Sequence, residues 1–500
     1  MKDFSKGICR RLYLIFAGLF LFSFSLILLN VIFNKAIYSY NTFCLILLVL
    51  LFLVLITSSL IFLRKRIDIL EKHYYKIVFL SCSFLFLVQL FFCFKLQFNP
   101  TWDLESIYKG AIKWVETGTF TGYTSATSRQ DYFYIFPNNL GSVAFLALFF
   151  KLANLFGVTA YFSVGCIVNA CLITLSLAFL QAICKRLFGV LGGLLSLVLF
   201  LLSLPFYFMA AVFYTDALSL MFPLAAFYGF LKAYSCQKKS SKLLLYVFSS
   251  CMCLVGALIK TTVLIFVIAA FICLALRRKW RELLIFATTA IAVIGIGFTL
   301  FYSFMYSSHL SREKAAQMNM PAHYWIDLAV HGDGRYNDKI YHMARNEEDP
   351  ITRKELLSQD IKERIKELGA GGIYDLFENK SARAFGDGTY ALSDFLDDRP
   401  IKEGSFLSRF LLYDGEYYYV YSTIATAIFL AIQILMLLSV SFRQLDFKTL
   451  IPQLCIFGIM LFLIFWEINS RYITTFVPFI LLCAVSGVSR VIEKFDKNRP

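Results

Sequence analysis

Apolar runs of about 18–24 residues recur along this chain, the length a helix needs to cross the hydrocarbon core of a bilayer. That repetition constrains the fold more than any other feature. Hydrophobic residues make up 59% of the chain, charged ones only 16%, and the mean hydropathy is +0.68. A soluble chain of 500 residues would divide into several domains with a far more polar surface. The sequence therefore predicts an all-α, polytopic membrane protein embedded in the lipid bilayer. The first run, 12–33, is too long for a signal-peptide core and lacks a small-residue cleavage site, so it reads as a retained span.

The net charge of +15 is a topology signal. Basic residues gather in short loops and tails: Lys2 to Arg11, Arg64-Lys65-Arg66, Lys185-Arg186, Lys238-Lys239, Arg277-Arg278-Lys279 and Arg490 to Arg499. The long polar segment 307–416 leans acidic instead. Positive loops belong on the cytoplasmic side. No basic stripe with interleaved aromatics falls on a soluble segment, so nucleic acid is not an expected partner. The 13 cysteines lie in or beside the apolar runs and read as small core residues. None falls in 99–137 or 307–416, which leaves no disulfide or zinc framework there.

Threading alternates outward and inward through 12–33, 42–63, 77–94, 158–183, 188–210, 217–233, 243–258, 261–276, 283–305, 418–440, 450–466 and 472–488. This gives about twelve spans with both termini cytoplasmic, in the cell membrane. The stretch 138–157 is apolar but contains Lys151, and a full crossing there would put Lys185-Arg186 outside. It is expected as a re-entrant or interfacial helix, though a full crossing stays open. Three regions follow: 1–306, a transmembrane region whose first outer loop is 97–137; 307–416, an extracytoplasmic α-rich insertion; and 417–500, transmembrane helices with a basic tail.

This threading sends the informative polar residues to one face. Asp103 and Glu105 follow the third span, Asp216 ends "FYTD", Lys260 sits in a hairpin, and Glu467 and Arg471 lie in "WEINSR". Residues 101–115 read as a helix between Pro100 and Gly118. Ile107, Ala111, Trp114 and Val115 form an amphipathic face suited to lying along the membrane. Asp103 and Glu105 are two apart, so a helix points them about 200° from each other and they form no carboxylate dyad. On residue type alone, acids in the first turn simply complement the helix dipole.

"TWDLESIYKGAIKW" followed by "DYFYIFPNNLGSVAFL" resembles the first outer loop of integral-membrane glycosyltransferases of the GT-C superfamily. The likeness is to bacterial protein-mannosyltransferase-like and aminoarabinose-transferase-like enzymes. The matching residues are Asp103, Tyr108 and Ala111, then Tyr134, Pro137 and Asn138. "FYTD", "ALIKTT" and "EINSRYITTFVPF" resemble later outer-turn elements and carry Asp216, Lys260 and Arg471. Two spans precede the family's usual first one, and Leu104 interrupts the adjacent Asp-Glu pair seen there.

The resemblance implies a GT-C-like fold and a sugar donor linked through phosphate to a polyprenyl lipid. It implies transfer to an extracytoplasmic glycan, such as a cell-wall polysaccharide or teichoic acid, with inversion at the anomeric carbon. Asp103 would then be the general base, with Lys260 and Arg471 contacting the donor phosphate. Trp102, Glu105, Tyr108, Tyr134, Asn138, Asp216, His323, Tyr324 and Glu467 are candidate substrate contacts. No cofactor is required by the sequence, and whether a divalent metal assists stays open, as do the sugar, the lipid length and the oligomeric state.

Plainer roles compete at each position. Lys260 snorkelling to the interface, Glu467 and Arg471 pairing on a helix end, Asp216 capping a helix, and Trp102 and Trp466 serving as interfacial aromatics are all ordinary. In the insertion, Leu356, Leu357, Ile361, Ile365 and Leu368 form a helical stripe ending at Gly369. His323, Asp327 and His331 are spaced by four, which on a continuous helix aligns them on one face as a metal site requires, but without a defined signature. The alternative there is a loop roofing the active site, with His323 and Tyr324 reaching the sugar or acceptor. Two other function classes remain: a polysaccharide polymerase or ligase acting on lipid-linked glycans, and a transporter, although no half-to-half repeat and few intramembrane charges favour the latter.

Overall fold

The computed structural model describes residues 2–34, 40–121, 131–396, 405–442 and 447–497. Its elements are all helices. Among the described residues, nine helices are long and apolar enough to cross a membrane: Gly7–Phe33, Thr42–Lys65, Tyr74–Lys95, Tyr161–Leu202, Thr215–Ser235, Lys239–Ile259, Trp280–Ser308, Tyr418–Leu437 and Ser470–Ile492. Two shorter apolar helices, Thr261–Leu276 and Thr449–Ile464, accompany them. Many of the flanking helices keep apolar side chains exposed, as expected where lipid is the solvent, whereas Thr215–Ser235, Tyr418–Leu437 and Ser470–Ile492 lie inside the bundle.

The 42-residue helix Tyr161–Leu202 is broken at Gly189, whose φ of 76° and ψ of −174° suit glycine and not a helix. A Cβ on Gly193 would fall 3.1 Å from that of Lys185, whereas eight helical residues span about 12 Å. The chain therefore folds back sharply, and the sequence reading of two segments, 158–183 and 188–210, corresponds to the two arms.

Basic residues share the face where this reversal lies. Lys185 stacks on Tyr74 at 4.0 Å and donates to the Tyr75 hydroxyl at 3.3 Å. Arg186 donates to Ser235, Arg277 lies over Tyr234 at 5.8 Å, and Lys242 pairs with Glu282 at 2.6 Å. Asp216 lies at the start of the helix that ends at Ser235, and Lys260 follows the far end of the helix that begins near Lys242, so both stand at the other end of these helices.

The Leu140–Asn154 helix has 15 residues, about 22 Å, which is short of the roughly 30 Å hydrocarbon core. Tyr108 packs its ring on Phe150 near the end of this helix and on Phe162 at the start of the next one. The end of the short helix and the start of the next one thus meet at Tyr108.

The segment 307–416 has two kinds of contact. Met320, Tyr324, Leu328, Ile340, Ala344 and Leu357 form a small core of their own with Ile135. Further on, the Pro350–Gly386 helix bends at Gly369 and its second part enters the main core. Phe385 packs edge-on against Phe24 at 5.1 Å, and Gln433 donates to the Phe385 carbonyl at 2.7 Å. The expected apolar stripe is not a buried one: Leu357 is buried, but Leu356 and Ile365 are exposed. The reason is that the packed face of this helix is turned by one position, toward Arg353 and Leu357.

Lys380 fastens the two regions together. It is buried, and its ammonium donates to the carbonyls of Ala329, Ile464 and Trp466 at 3.1, 2.9 and 2.9 Å, one for each of its three N–H bonds. Two of those carbonyls end the Thr449–Ile464 helix segment, where backbone acceptors lack partners. Lys380→Met should therefore lower the thermal midpoint of the detergent-solubilised protein, at about 1–3 kcal/mol per orphaned carbonyl. An unchanged midpoint by differential scanning fluorimetry would remove this fastening role.

Candidate functional site

Asp103 stands in the first turn of the Trp102–Thr117 helix, which Gly118 closes in a left-handed conformation at φ 78°. Both carboxylate oxygens accept a tyrosine hydroxyl: Tyr132 on Oδ1 at 2.8 Å and Tyr214 on Oδ2 at 3.0 Å. Asn139 supports Tyr132 with a 2.5 Å hydrogen bond. Burial, with Asp103 beside them, pushes both tyrosines well above their ordinary values, so they remain O–H donors at neutral pH. A carboxylate offers about four lone-pair sites, so Asp103 keeps capacity for a further proton.

Asp216 lies across Tyr214 from Asp103. It is buried, forms an ion pair with Lys260, and has its Oδ2 3.9 Å from Arg471 Nε. The Arg471 guanidinium is sandwiched among rings, 4.9 Å from Tyr214, 5.1 Å from Phe395 and 5.2 Å from Tyr472. Lys260 sits 5.1 Å over Tyr472. A narrow cavity opens here, lined by Tyr214, Asp216, Arg471, Tyr390 and Phe395 with apolar neighbours such as Met209 and Leu392. Lys260 and Asp103 do not line it; each stands one contact behind a residue that does.

Several plain roles do not describe these residues. Lys260 does not snorkel, because its amine is turned inward onto Asp216 with the side chain only 11% exposed. Asp216 lies within the Thr215–Leu218 turn, whose N-cap is Tyr214. Arg471 opens a 3₁₀ segment, Ser470–Phe476, and points at Asp216 rather than lying on a helix surface beside Glu467. Trp466 stacks flat on Trp325 at 5.2 Å, joining the insertion to the membrane part.

Glu467 follows Trp466 on the same strip. Burial, opposed by Arg471 and reinforced by Asp103, raises its carboxyl from 4.5 to about 7. The Tyr324 ring is buried in the small core, and its hydroxyl, raised by burial, feels Glu467 and Asp103. Tyr324 therefore belongs to the roof of the site.

Other expected contacts lie elsewhere. Glu105 points away from Asp103 and pairs with Lys109 at 2.5 Å. Tyr108 is packing for Phe213, next to Tyr214. Tyr134 receives the Ser311 N–H at 3.2 Å and carries Lys314 over its ring, so it ties the loop to the insertion. Asn138 is exposed, Trp102 is 61% exposed at the surface beside Asp103, and His323 is half-buried with its Nδ1 lacking a hydrogen bond. The amphipathic face of the 102–117 helix meets protein, not lipid: Ile107 and Ala111 are fully buried. Residues 122–130 of the expected outer loop lie outside the described residues.

The sequence reading missed one wall. Residues 386–396, "GDGTYALSDFL", form a tight loop in which Asp387 accepts from the Thr389 and Ala391 N–H groups at 2.8 and 2.9 Å and from the Ser470 hydroxyl at 2.6 Å. Asp394 accepts from Asn469 at 2.9 Å, and Asn469 caps the Arg471 N–H at 3.0 Å. The loop thus positions Arg471 and contributes Tyr390, Leu392 and Phe395 to the cavity. The clustered Gly, Asp and Thr at 386–389 were the available signal.

A family model described as conserved hypothetical integral membrane protein matches residues 1–491, and the chain belongs to that family. No curated protein matches the chain.

Because the folded Glu467 holds its proton to about pH 7 and the unfolded one only to 4.5, folding binds an extra proton between these values. Stability from this group is therefore full below 4.5 and declines as pH rises through 7. Glu467→Gln should remove that decline, so the wild-type minus variant difference in thermal midpoint should change across pH 4.5–7. A pH-independent difference would show that Glu467 titrates like an exposed carboxyl.

Proposed function

We propose that this member of an integral membrane protein family is a GT-C-type glycosyltransferase that moves a sugar from a polyprenyl-phosphate donor to an extracytoplasmic glycan. The observation that carries the reading is the meeting of Asp103 and Arg471 across one tyrosine. Tyr214 donates to the acid and receives the guanidinium on its ring. A group transfer of this class needs a base for the incoming hydroxyl and a cation for the leaving phosphate, held a few ångströms apart.

In the proposed step the acceptor hydroxyl attacks the anomeric carbon, and Asp103 takes its proton. The bond from that carbon to the phosphate oxygen breaks, and its electron pair leaves with the polyprenyl phosphate. Arg471 faces the departing oxygens from the cavity wall, where a planar fork suits phosphate. Lys260 adds positive charge behind it and holds Asp216. Attack opposite the leaving group inverts the carbon. The apolar and aromatic walls at Met209, Leu392, Tyr390 and Phe395 suit the lipid-linked part of a donor and one face of a sugar.

The reading also takes a topology. The two arms around Gly189, the eight other long helices and the two shorter apolar ones make twelve crossings, with the Leu140–Asn154 helix re-entrant. The shared basic face supports placing both termini in the cytoplasm and Asp103 outside.

Asp103→Asn should lower sugar transfer by at least about 10²-fold with expression and membrane insertion unchanged, as loss of a general base does. Arg471→Ala should weaken donor binding as well as turnover. Mass spectrometry of lipid-linked sugars and wall glycans provides the check. Accumulated donor with a missing side branch is expected; wild-type transfer by Asp103→Asn would remove the acid from the chemistry, and loss of long glycan chains would point to polymerisation instead.

A further inference from the structure

A second cluster of ionisable groups lies in the 307–416 segment, away from the Asp216–Arg471 cavity. Asp327 is on the Ala322–Val330 helix, His331 is its C-terminal cap, and Asp360 comes from the Pro350–Gly386 helix. His331 Nε2 lies 3.2 Å from Asp327 Oδ1 and 2.9 Å from Asp360 Oδ2. One ligand atom from each residue falls within 4.8 Å of the other two.

Two observations separate this cluster from an ordinary ion pair. First, Asp327 is 0% exposed, yet neither of its oxygens accepts a hydrogen bond. Withdrawing a carboxylate from water without donors costs several kcal/mol in proteins, so those oxygens must either hold a proton or face a cation. Second, His331 Nε2 also makes no hydrogen bond, despite the short approach of both acids. An imidazolium would aim its N–H along one of those vectors. Here the nitrogen and one oxygen of each carboxylate instead lie together within 4.8 Å of one another. Ligands around a tetrahedral ion at 2.0–2.2 Å stand roughly 3.4 Å apart, so the observed 3.2 and 2.9 Å approaches need only a slight opening to admit one.

We propose that Asp327, His331 and Asp360 bind a divalent transition-metal ion, with Zn²⁺ the best fit. One imidazole and two carboxylates suit zinc better than magnesium or calcium, which prefer all-oxygen sets. His331 and Asp360 are 24% and 33% exposed at their side chains, so water can reach a fourth position. The site differs from the His323–Asp327–His331 pattern that spacing alone suggested. His323 stands outside it, and the third ligand arrives from a distant helix.

The ion's effect is structural. It ties the end of the Ala322–Val330 helix to the Pro350–Gly386 helix, and Arg364 reinforces the same joint by donating to the Val330 carbonyl at 3.3 Å. One turn away, Lys380 joins Ala329 to Ile464 and Trp466, so the brace continues to the strip carrying Glu467. The inference is independent of the transfer reaction.

The test uses full-length protein in detergent, stripped with EDTA, re-equilibrated with ZnCl₂ or MgCl₂ and passed over a desalting column. Elemental mass spectrometry should find about one zinc per chain. Zinc, but not magnesium, should restore a thermal midpoint that EDTA lowers. Asp360→Asn and His331→Ala should lose the zinc and become insensitive to EDTA, while Asp360→His, which keeps a ligand, should retain it. Wild-type protein without zinc, zinc retained by both loss variants, or a midpoint indifferent to EDTA would each overturn the proposal.

Discussion

The neutralisation of one buried carboxylate organises this molecule. Asp216 is nearly inaccessible, and in such surroundings an unpaired charge is costly enough to unfold the region that holds it. Lys260 and Arg471 answer it from two other segments, so three parts of the chain distant in sequence are drawn to one point. The arrangement is unequal. Lys260 closes on Asp216, whereas Arg471 stays 3.9 Å away with its Nε lacking a hydrogen bond. Because Lys260 answers Asp216 directly, the Arg471 guanidinium is left facing the cavity that it lines. An anion entering there would meet a guanidinium already desolvated and flanked by three rings, with little left to reorganise.

Much of this was legible in the sequence, for a physical reason. Hydropathy and the clustering of Lys and Arg report directly on the solvent each segment meets, so the apolar helices and the common basic face follow from composition. The grouping of Asp103, Asp216, Lys260, Glu467 and Arg471 followed from threading alone. Side-chain direction did not. In "DYFYIFPNN" the residues expected at the site were Tyr134 and Asn138, but it is Tyr132 that donates to Asp103, with Asn139 donating in turn to Tyr132. The segment folds as a short helical turn followed by a 3₁₀ turn, and their junction at Phe136 sets which tyrosine faces inward. Periodicity cannot fix that junction in so few residues. The 386–396 wall was hidden for a similar reason: its conformation is set by Asp387 bonding to its own neighbours and to Ser470, a contact across 83 positions.

Backbone strain marks the same place. Among the described residues, Trp102, Tyr390, Ala391 and Arg278 have positive φ values without being glycine. Three of the four border the site, one directly before Asp103 and two within the loop that lines the cavity. Each costs about 1–3 kcal/mol and persists only where surrounding contacts over-determine it. Those contacts are visible at Ala391, whose N–H is held by Asp387. Arg278, at 57°, belongs to the tight turn between Thr261–Leu276 and Trp280–Ser308 on the basic face, where connection length alone explains it.

The insertion is best understood as part of the site's scaffold rather than a separate module. Trp325 stacks on Trp466, the Ile468 N–H donates to the Gly334 carbonyl at 2.7 Å, and Lys380 gathers the carbonyls on either side. These contacts pin residues 464–468 against the insertion, whose Tyr324 lies close to the half-buried Glu467. Its raised carboxyl reflects this partial burial together with the neighbouring Asp103. Weakening the roof would re-expose Glu467 to water and return its charge to the pocket beside Asp103. The same contacts that stabilise the insertion thus bear on the electrostatic environment of Asp103.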